Sequence, residues 1–317
     1  MRFIKLDLNL LVALDALLTE CSVTRAAERV HLGQSAMSNA LTRLREYFDD
    51  ELFVQVGRKM EPTPRALGLK DPVRDVLIRI EAAVVTRPLF DPSTSDREFR
   101  LTVSDYTSAV LMPHLLELAH RQSNGIRFQF LPQTTNPKRA LENGEVDLLI
   151  IPNLYASDEH PSELLFSETF CCVVWRESVL AHGKLTLERF LSHGHVVMEP
   201  PNSHAYETRE MAKQGVHRNV EVTTFSFATA PNFVVGTSRI ATIHRRLARQ
   251  AETNLPIVIK PVPVEISPLQ QMMQWHKYRT NDPGIAWLRH TLHQAVASMD
   301  GLSIEAQKKI STAGLTA

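Results

Sequence analysis

The sequence predicts an α/β protein in two parts: an N-terminal winged helix-turn-helix with a long linker helix, then two doubly wound α/β subdomains. Three observations predict it. Residues 22–47 (SVTRAAERVHLGQSAMSNALTRLREY) hold two short helical patterns broken by one tight turn. Residues 64–84 carry a single apolar seam at three- and four-residue spacing. From residue 98 onward, strand-like and helix-like stretches alternate.

At the start of the chain, residues 6–18 (LDLNLLVALDALL) read as a helix with a broad apolar surface, suited to close a three-helix core. In the first helix of the motif, Val23, Ala26, Ala27 and Val30 share one face. The turn is His31-Leu32-Gly33, where Gly33 is expected to supply a backbone conformation that other residues resist. In the second helix, Ala36, Met37, Ala40, Leu41 and Leu44 make the buried stripe. Gln34, Ser35, Ser38, Asn39, Thr42, Arg43 and Arg45 point outward, and Thr24 joins them as a DNA-binding candidate. The small side chains Ala26, Ala27, Ala36 and Ala40 let two crossing helices approach closely. Outward amides, hydroxyls and guanidinium groups match the edges of a DNA major groove: Gln and Asn pair with adenine, Arg with guanine. The alternative is a helix pair whose polar face merely meets water.

Residues 48–64 alternate and turn. Leu52-Phe53-Val54 and Val56 suggest a strand, Gly57-Arg58-Lys59 a hairpin tip, and Met60-Glu61-Pro62 the return. This wing would carry Arg58 and Lys59 to phosphates or a minor groove. The long helix opens at Pro64 or Arg65, with Leu69, Val73, Val76, Leu77, Ile80 and Val84 on the seam and Arg74 off it; Pro72 marks a kink or a later start. A seam with nothing in its own domain to bury against predicts pairing with the same helix of a second subunit. A helix folded back on its own chain is the alternative. Residues 87–93 (RPLFDPS) end the helix.

Beyond that break, strands are predicted at residues 98–103, 126–131, 146–151, 170–175, 194–198, 220–225, 240–243 and 257–262. Helices are predicted at 109–119, from the Asn136 cap and Pro137, at 187–191, at 233–236 and at 284–299 after Asp282-Pro283. Strands separated by helices predict parallel sheets, with crossings near Phe166 and Pro268 and a return strand at 269–275. The expected boundaries are 1–63 for the winged motif, 64–91 for the linker and hinge, and 92–300 for the larger domain. That domain divides into 92–165 with 268–300, and 166–267. The polar residues 301–317 are expected to be a loose tail.

Composition narrows the class. With 35 Lys and Arg against 35 Asp and Glu, the chain has no net charge. Residues 22–66 hold seven bases and six acids, which argues against a non-specific nucleic-acid binder and for several subunits sharing one operator. No apolar run approaches a membrane span, so a cytoplasmic protein without membrane contact is expected. Cys21, Cys171 and Cys172 lack metal-ligand spacing; the adjacent pair should occupy opposite faces of a strand as reduced core thiols.

Taken together, LDLNLLVALDALL, SVTRAAERVHLGQSAMSNALTRLREYFDDELFV, PTPRA, GEVDLLI and WHKYRTNDPGIAWLR resemble the LysR-type transcriptional regulators across residues 6–299. The opening residues and GRKMEPTPRA are most similar to the nodulation-regulator branch, whose near neighbours regulate aromatic and chloroaromatic breakdown. The resemblance implies a periplasmic-binding-protein-like effector domain and no cofactor beyond a small aromatic effector. It implies a homodimer or homotetramer on a double-stranded DNA operator, acting as an activator through RNA polymerase. It aligns Gln34, Ser35, Ser38, Asn39, Thr42 and Arg43 with the recognition face, and Arg58 and Lys59 with the wing. Gln55 departs from the family, many of whose members place Arg there.

In doubly wound sheets, ligands sit beyond the carboxyl ends of strands. That selects Ser104, Asp105, Tyr106 and Thr107 after the first strand, and Gln133 and Thr134, with Pro132 and Thr135, after the second. For the other subdomain the resemblance implies Thr169, Asn202, Ser203, His204 and Phe225, with Ile243 or His244 completing the wall. A carboxylate at Asp105 would disfavour acids and favour hydroxyl donors, so a phenolic ligand is expected. The rival class is an enzyme or small-molecule binder with an appended helix-turn-helix. Its best support is His193, His195 and His204, which lack a convincing ligand spacing, and Ser104-Asp105 with a distant histidine, which spacing alone does not make a triad.

Overall fold

The computed structural model describes residues 7–57, 59–84, 90–133, 136–199 and 204–301. It forms two compact units, each taken by itself: Met1–Arg87 with Glu142–Glu145, and Pro88–Leu141 with Val146–Ala317.

In the first unit, α1 (Leu8–Glu20), α2 (Val23–Arg29) and α3 (Gln34–Phe48) precede a hairpin of β1 (Phe53–Val56) and β2 (Lys59–Pro62), and α4 (Pro64–Val84) follows. Asp7 caps α1 by accepting the Asn9 amide at 2.9 Å, and the buried Leu10, Leu14 and Leu17 make α1 the floor of the core. Ala26 and Ala27 of α2 and Met37, Leu41 and Leu44 of α3 close on it. Two expectations fail here. Gly33 has ordinary extended dihedrals (φ −71°, ψ 148°), and His31 takes the left-handed position at φ 55°. Ala36 lies on the exposed side of α3, because the core face is covered by the i, i+4, i+7 set Met37, Leu41 and Leu44.

The linker helix also differs from expectation. It runs unbroken through Pro72. Its seam is not without a partner: Val73 is buried, and Leu69 and Leu77 pack on the same core as α1. Arg74, placed off the seam by spacing, is buried and bonds Asp15 at 3.0 Å and Thr19 at 3.1 Å on α1. A guanidinium there is tolerated because a carboxylate and a hydroxyl meet it. The side chain of Val84 lies outside the described residues.

The second unit contains two five-stranded sheets. The first has the order β4-β3-β5-β12-β6, from β3 (Glu98–Val103), β4 (Arg127–Pro132), β5 (Leu148–Pro152), β6 (Ser162–Glu168) and β12 (Leu269–Trp275). The second has the order β11-β7-β10-β8-β9, from β7 (Phe170–Trp175), β8 (Gly194–Met198), β9 (Asn219–Thr224), β10 (Ile240–His244) and β11 (Ile257–Lys260). Neither is purely parallel. β3 runs parallel to β4 and β5, but β12 is antiparallel to both its neighbours. Likewise β8 is parallel to β9 and β10, whereas β7 opposes β10 and β11. The reversed strands are those entered directly from the other sheet. The first crossing is at Thr169, between β6 and β7, rather than at Phe166, which still pairs with Gln271.

Helices α5 (Asp105–Val110), α6 (Met112–Gln122), α7 (Pro137–Glu142), α8 (Leu187–Leu191), α9 (Tyr206–Lys213), α10 (Arg245–Glu252) and α11 (Pro283–Met299) accompany the sheets. One apolar cluster, from Phe99 and Leu101 to Val196 and Ile243, is continuous across both sheets. Cys171 faces that cluster and Cys172 the smaller one under α8, so the adjacent thiols do take opposite faces. Burial pushes both thiols up to about 12, where they stay protonated. Among the described residues, no helix is long and apolar enough to cross a membrane. Of the expected tail, residues 302–317 lie outside the described residues.

Candidate DNA-binding surface and effector cleft

On α3 the buried stripe leaves Gln34, Ser35, Ser38, Asn39, Thr42 and Arg43 exposed together. Thr24 is exposed at the start of α2. The Thr42 hydroxyl donates to the Ser38 carbonyl at 3.1 Å, so it offers a partner its lone pairs. Arg43 is held only loosely, 3.8 Å from Asp7. Arg45, read as outward, instead donates to the Glu51 carbonyl at 2.8 Å and the Phe53 carbonyl at 2.9 Å, fixing the hairpin to the end of α3. The hairpin closes through Gly57 at φ +62°, and Lys59, whose backbone pairs with Val56 in the ladder, has an exposed side chain. Arg58 lies outside the described residues. Gln55 donates to the Gly57 carbonyl at 3.0 Å, so the residue that departs from the family braces the turn.

The cleft is built from strand ends. At the end of β3, the Ser104 hydroxyl caps α5 by accepting the Thr107 amide at 3.1 Å. Asp105 reaches into the other subdomain: one carboxylate oxygen accepts the Ser226 hydroxyl at 2.7 Å and the Ala228 amide at 3.0 Å. Asp105 is therefore a latch with two protein donors, and the inference from a free carboxylate to a phenolic ligand loses its basis. Tyr106 and Thr107 are fully buried and do not line an open wall. The Tyr106 ring stacks on His244 at 3.8 Å and 10°, and its hydroxyl donates to Glu168. Burial, then the adjacent Glu168 carboxylate, raises the phenol well above its ordinary range and keeps that proton in place. Burial also pushes His244 down to about 3, so its ring is neutral.

Around the other strand ends, Gln133 follows β4 with its amide donating to the Ile150 carbonyl at 3.0 Å. His204 lies 3.2 Å from Glu199 beyond β8, and Phe225 beyond β9 is 88% exposed. Thr134, Thr135, Asn202 and Ser203 lie outside the described residues. Thr169 does not join this set: its carbonyl accepts the Arg245 amide at 2.8 Å, and it lines a separate cavity. The candidate histidines are also apart. His195 is buried against the Phe190 carbonyl at 2.7 Å, burial taking it down to about 4, while His193 meets the Arg189 carbonyl at 2.7 Å. Among the described residues, no group of three or more His, Cys, Asp or Glu side chains is placed to hold a metal ion.

Residues 93–297 match the LysR substrate binding domain, and residues 8–67 match the bacterial regulatory helix-turn-helix protein, lysR family. The chain belongs to the LysR family. It is a DNA-binding transcriptional regulator, consistent with the exposed polar face of α3 in one unit and the two-sheet domain of the other. Nodulation protein D 1 of Bradyrhizobium sp. (strain NC92) is 39% identical over 301 residues, covering 94% of this chain and 96% of that protein. Nodulation protein D 1 of Rhizobium leguminosarum bv. phaseoli is 40% identical over 301 residues, with the same shares. A solved transcriptional regulator from Pseudomonas aeruginosa is 28% identical, with a TM-score of 0.64, covering 91% of this chain and 98% of that one. Full-length OxyR from the same organism, at 17% identity and a TM-score of 0.72 over 92% and 95% of the chains, shares the fold.

Several side chains of this LysR-family domain carry the cleft without having stood out in the sequence. Ser226 receives the latch. Glu168 accepts from Tyr106 and from Arg246 at 3.1 Å, and Arg246 also bonds Asp300 at 2.7 Å. These contacts join α5, the β6–β7 crossing, α10 and the end of α11. No local pattern announces them, since each pairs residues between 54 and 121 positions apart.

Proposed function

We propose that this LysR-family regulator is an activator whose effector, a phenolic or chlorinated aromatic, binds at the strand ends around Ser104, Gln133, His204 and Phe225. The observation that carries the ligand class is Phe225, an aromatic ring 88% exposed at the carboxyl end of β9, next to Thr224, whose carbonyl accepts the Glu199 amide at 3.0 Å. A ring so exposed offers a stacking face, and the Glu199 carboxylate disfavours an acid and accepts from a hydroxyl. The nodulation protein relatives support a regulator of this branch. On the DNA side, Gln34, Ser35, Ser38, Asn39, Thr42 and Arg43 read bases while Thr24, Arg58 and Lys59 meet phosphates. The near-neutral motif supports a homodimer or homotetramer, so that two or more reading heads share an operator and RNA polymerase is engaged beside it.

Calorimetry of the full chain with phenols, chlorophenols and benzoates tests the ligand. Phenols or chlorophenols should bind more tightly than benzoates, and Phe225→Ala should weaken them. Benzoates binding best, with no effect of Phe225→Ala, would remove the assignment. For DNA, Ser38→Ala or Arg43→Ala should each cost roughly 1–3 kcal/mol of specific binding without unfolding the protein; unchanged footprints for both would remove the reading face.

A further inference from the structure

Beside the β6–β7 crossing, a cavity of about 500 Å³ is lined by α5, the start of α6, α10 and the end of α11. That volume is in the range of small-molecule sites. None of Ser104, Asp105, Gln133, His204 or Phe225 lines it, so it is distinct from the effector cleft. Its apolar wall is Val110, Pro113 and Met299.

The opposite wall is cationic. Arg245 and Arg249 lie four residues apart on α10, on the same side of the helix, and both line the cavity. Neither guanidinium has a hydrogen-bond or carboxylate partner among the described residues. The two acids in the wall are already committed. Glu168 serves Tyr106, the Thr169 amide and Arg246, and Asp300 serves Arg246. Two like charges facing one cavity repel each other, and an anion between them relieves that repulsion. Inorganic phosphate would meet the arginines but leave the apolar wall uncovered.

We propose that this cavity at the crossing between the sheets is a second ligand site, which takes a small organic carboxylate with a compact apolar body. The carboxylate pairs with Arg245 and Arg249, and the body lies on Val110, Pro113 and Met299. Because its walls come from both subdomains, an occupant favours the arrangement in which they stand together. A carboxylate would thus act alongside the ligand of the cleft rather than compete with it.

Calorimetry on the full chain tests this with cyclohexanecarboxylate, its neutral counterpart cyclohexylmethanol, and inorganic phosphate. The carboxylate should bind at least tenfold more tightly than either control. Arg249→Gln should weaken it at least tenfold, and Arg245→Gln with Arg249→Gln should abolish it. Arg249 is exposed, so its single variant decides the matter if the double variant fails to fold. Lack of carboxylate binding, equal binding of the alcohol or of phosphate, or unchanged affinity in Arg249→Gln would overturn the proposal. None of these results depends on which compound occupies the cleft.

Discussion

Asp105→Ala is the sharpest perturbation of the cleft. The wild-type carboxylate accepts the Ser226 hydroxyl at 2.7 Å and the Ala228 amide at 3.0 Å, both from the opposite subdomain. A hydrogen bond to a charged group contributes about 1.5–3 kcal/mol. Asp105 is half-buried, so water competes for the donors, and the pair together contributes about 2 kcal/mol. At 1.4 kcal/mol per tenfold, removing it shifts the local opening equilibrium roughly 30-fold. Hydrogen–deuterium exchange reads this directly at Ala228. Its protection should fall roughly 30-fold in Asp105→Ala, and by less in Asp105→Asn, which keeps an uncharged acceptor. Unchanged protection of Ala228, in a protein that still unfolds cooperatively, would refute the latch.

Other side chains give independent checks. Burial pushes the Glu207 carboxyl up from 4.5 to about 7, so the folded state holds its proton more tightly than the unfolded chain. The contribution is fully present below pH 4.5 and lost as pH rises through 7; Glu207→Gln should remove about 3 kcal/mol of pH-dependent destabilisation, read by urea unfolding at pH 4.5 and pH 8. An identical pH slope in the variant would contradict this. At Asp282, burial acts upward but is outweighed by the Arg97 bonds at 2.7 and 2.9 Å and the Gly284 and Ile285 amides, which hold the carboxyl below its usual range. Its contribution is present above the unfolded value and lost as pH falls through the folded one, so Asp282→Asn should flatten the acid limb of the stability curve. Arg45→Met removes two bonds to the wing backbone and should lower protection across the hairpin by about 1–3 kcal/mol, with α1 and α2 unaffected.

What could be read from the sequence was whatever local pattern determines. The α3 stripe apart from Ala36, the wing hairpin, β7, β8 and the Asp282 cap are set by spacing, turn residues and capping chemistry, and they occur where those signals place them. The misses share a cause. α9 (YETREMAK) and α10 (RRLARQAE) carry too few apolar residues to show a stripe, and form because their few buried side chains dock on a sheet already present. Sheet direction was misread because β7 and β12 reverse through the crossing between sheets, a long-range event. Arg74 and the seam of α4 were misread for the same reason: the helix period shows a face, but not which neighbour covers it. In the candidate cleft, strand ends pointed to the loops after β3 and β4, and the resemblance to residues beyond β8 and β9. They did not reveal that Asp105 and Tyr106 would be spent on protein partners, since Ser226 and Glu168 are distant in sequence.

As proposed, a ligand at the strand ends of the second unit changes how α3 engages an operator. The most direct test is a footprint of genomic DNA selected by the full chain, with and without a panel of phenols and chlorophenols. A defined operator with dyad symmetry, whose protection pattern changes with a phenol in wild type and remains fixed with Phe225→Ala, is the predicted result. Protection that is identical with every phenol and chlorophenol, or that responds equally in wild type and Phe225→Ala, would contradict it.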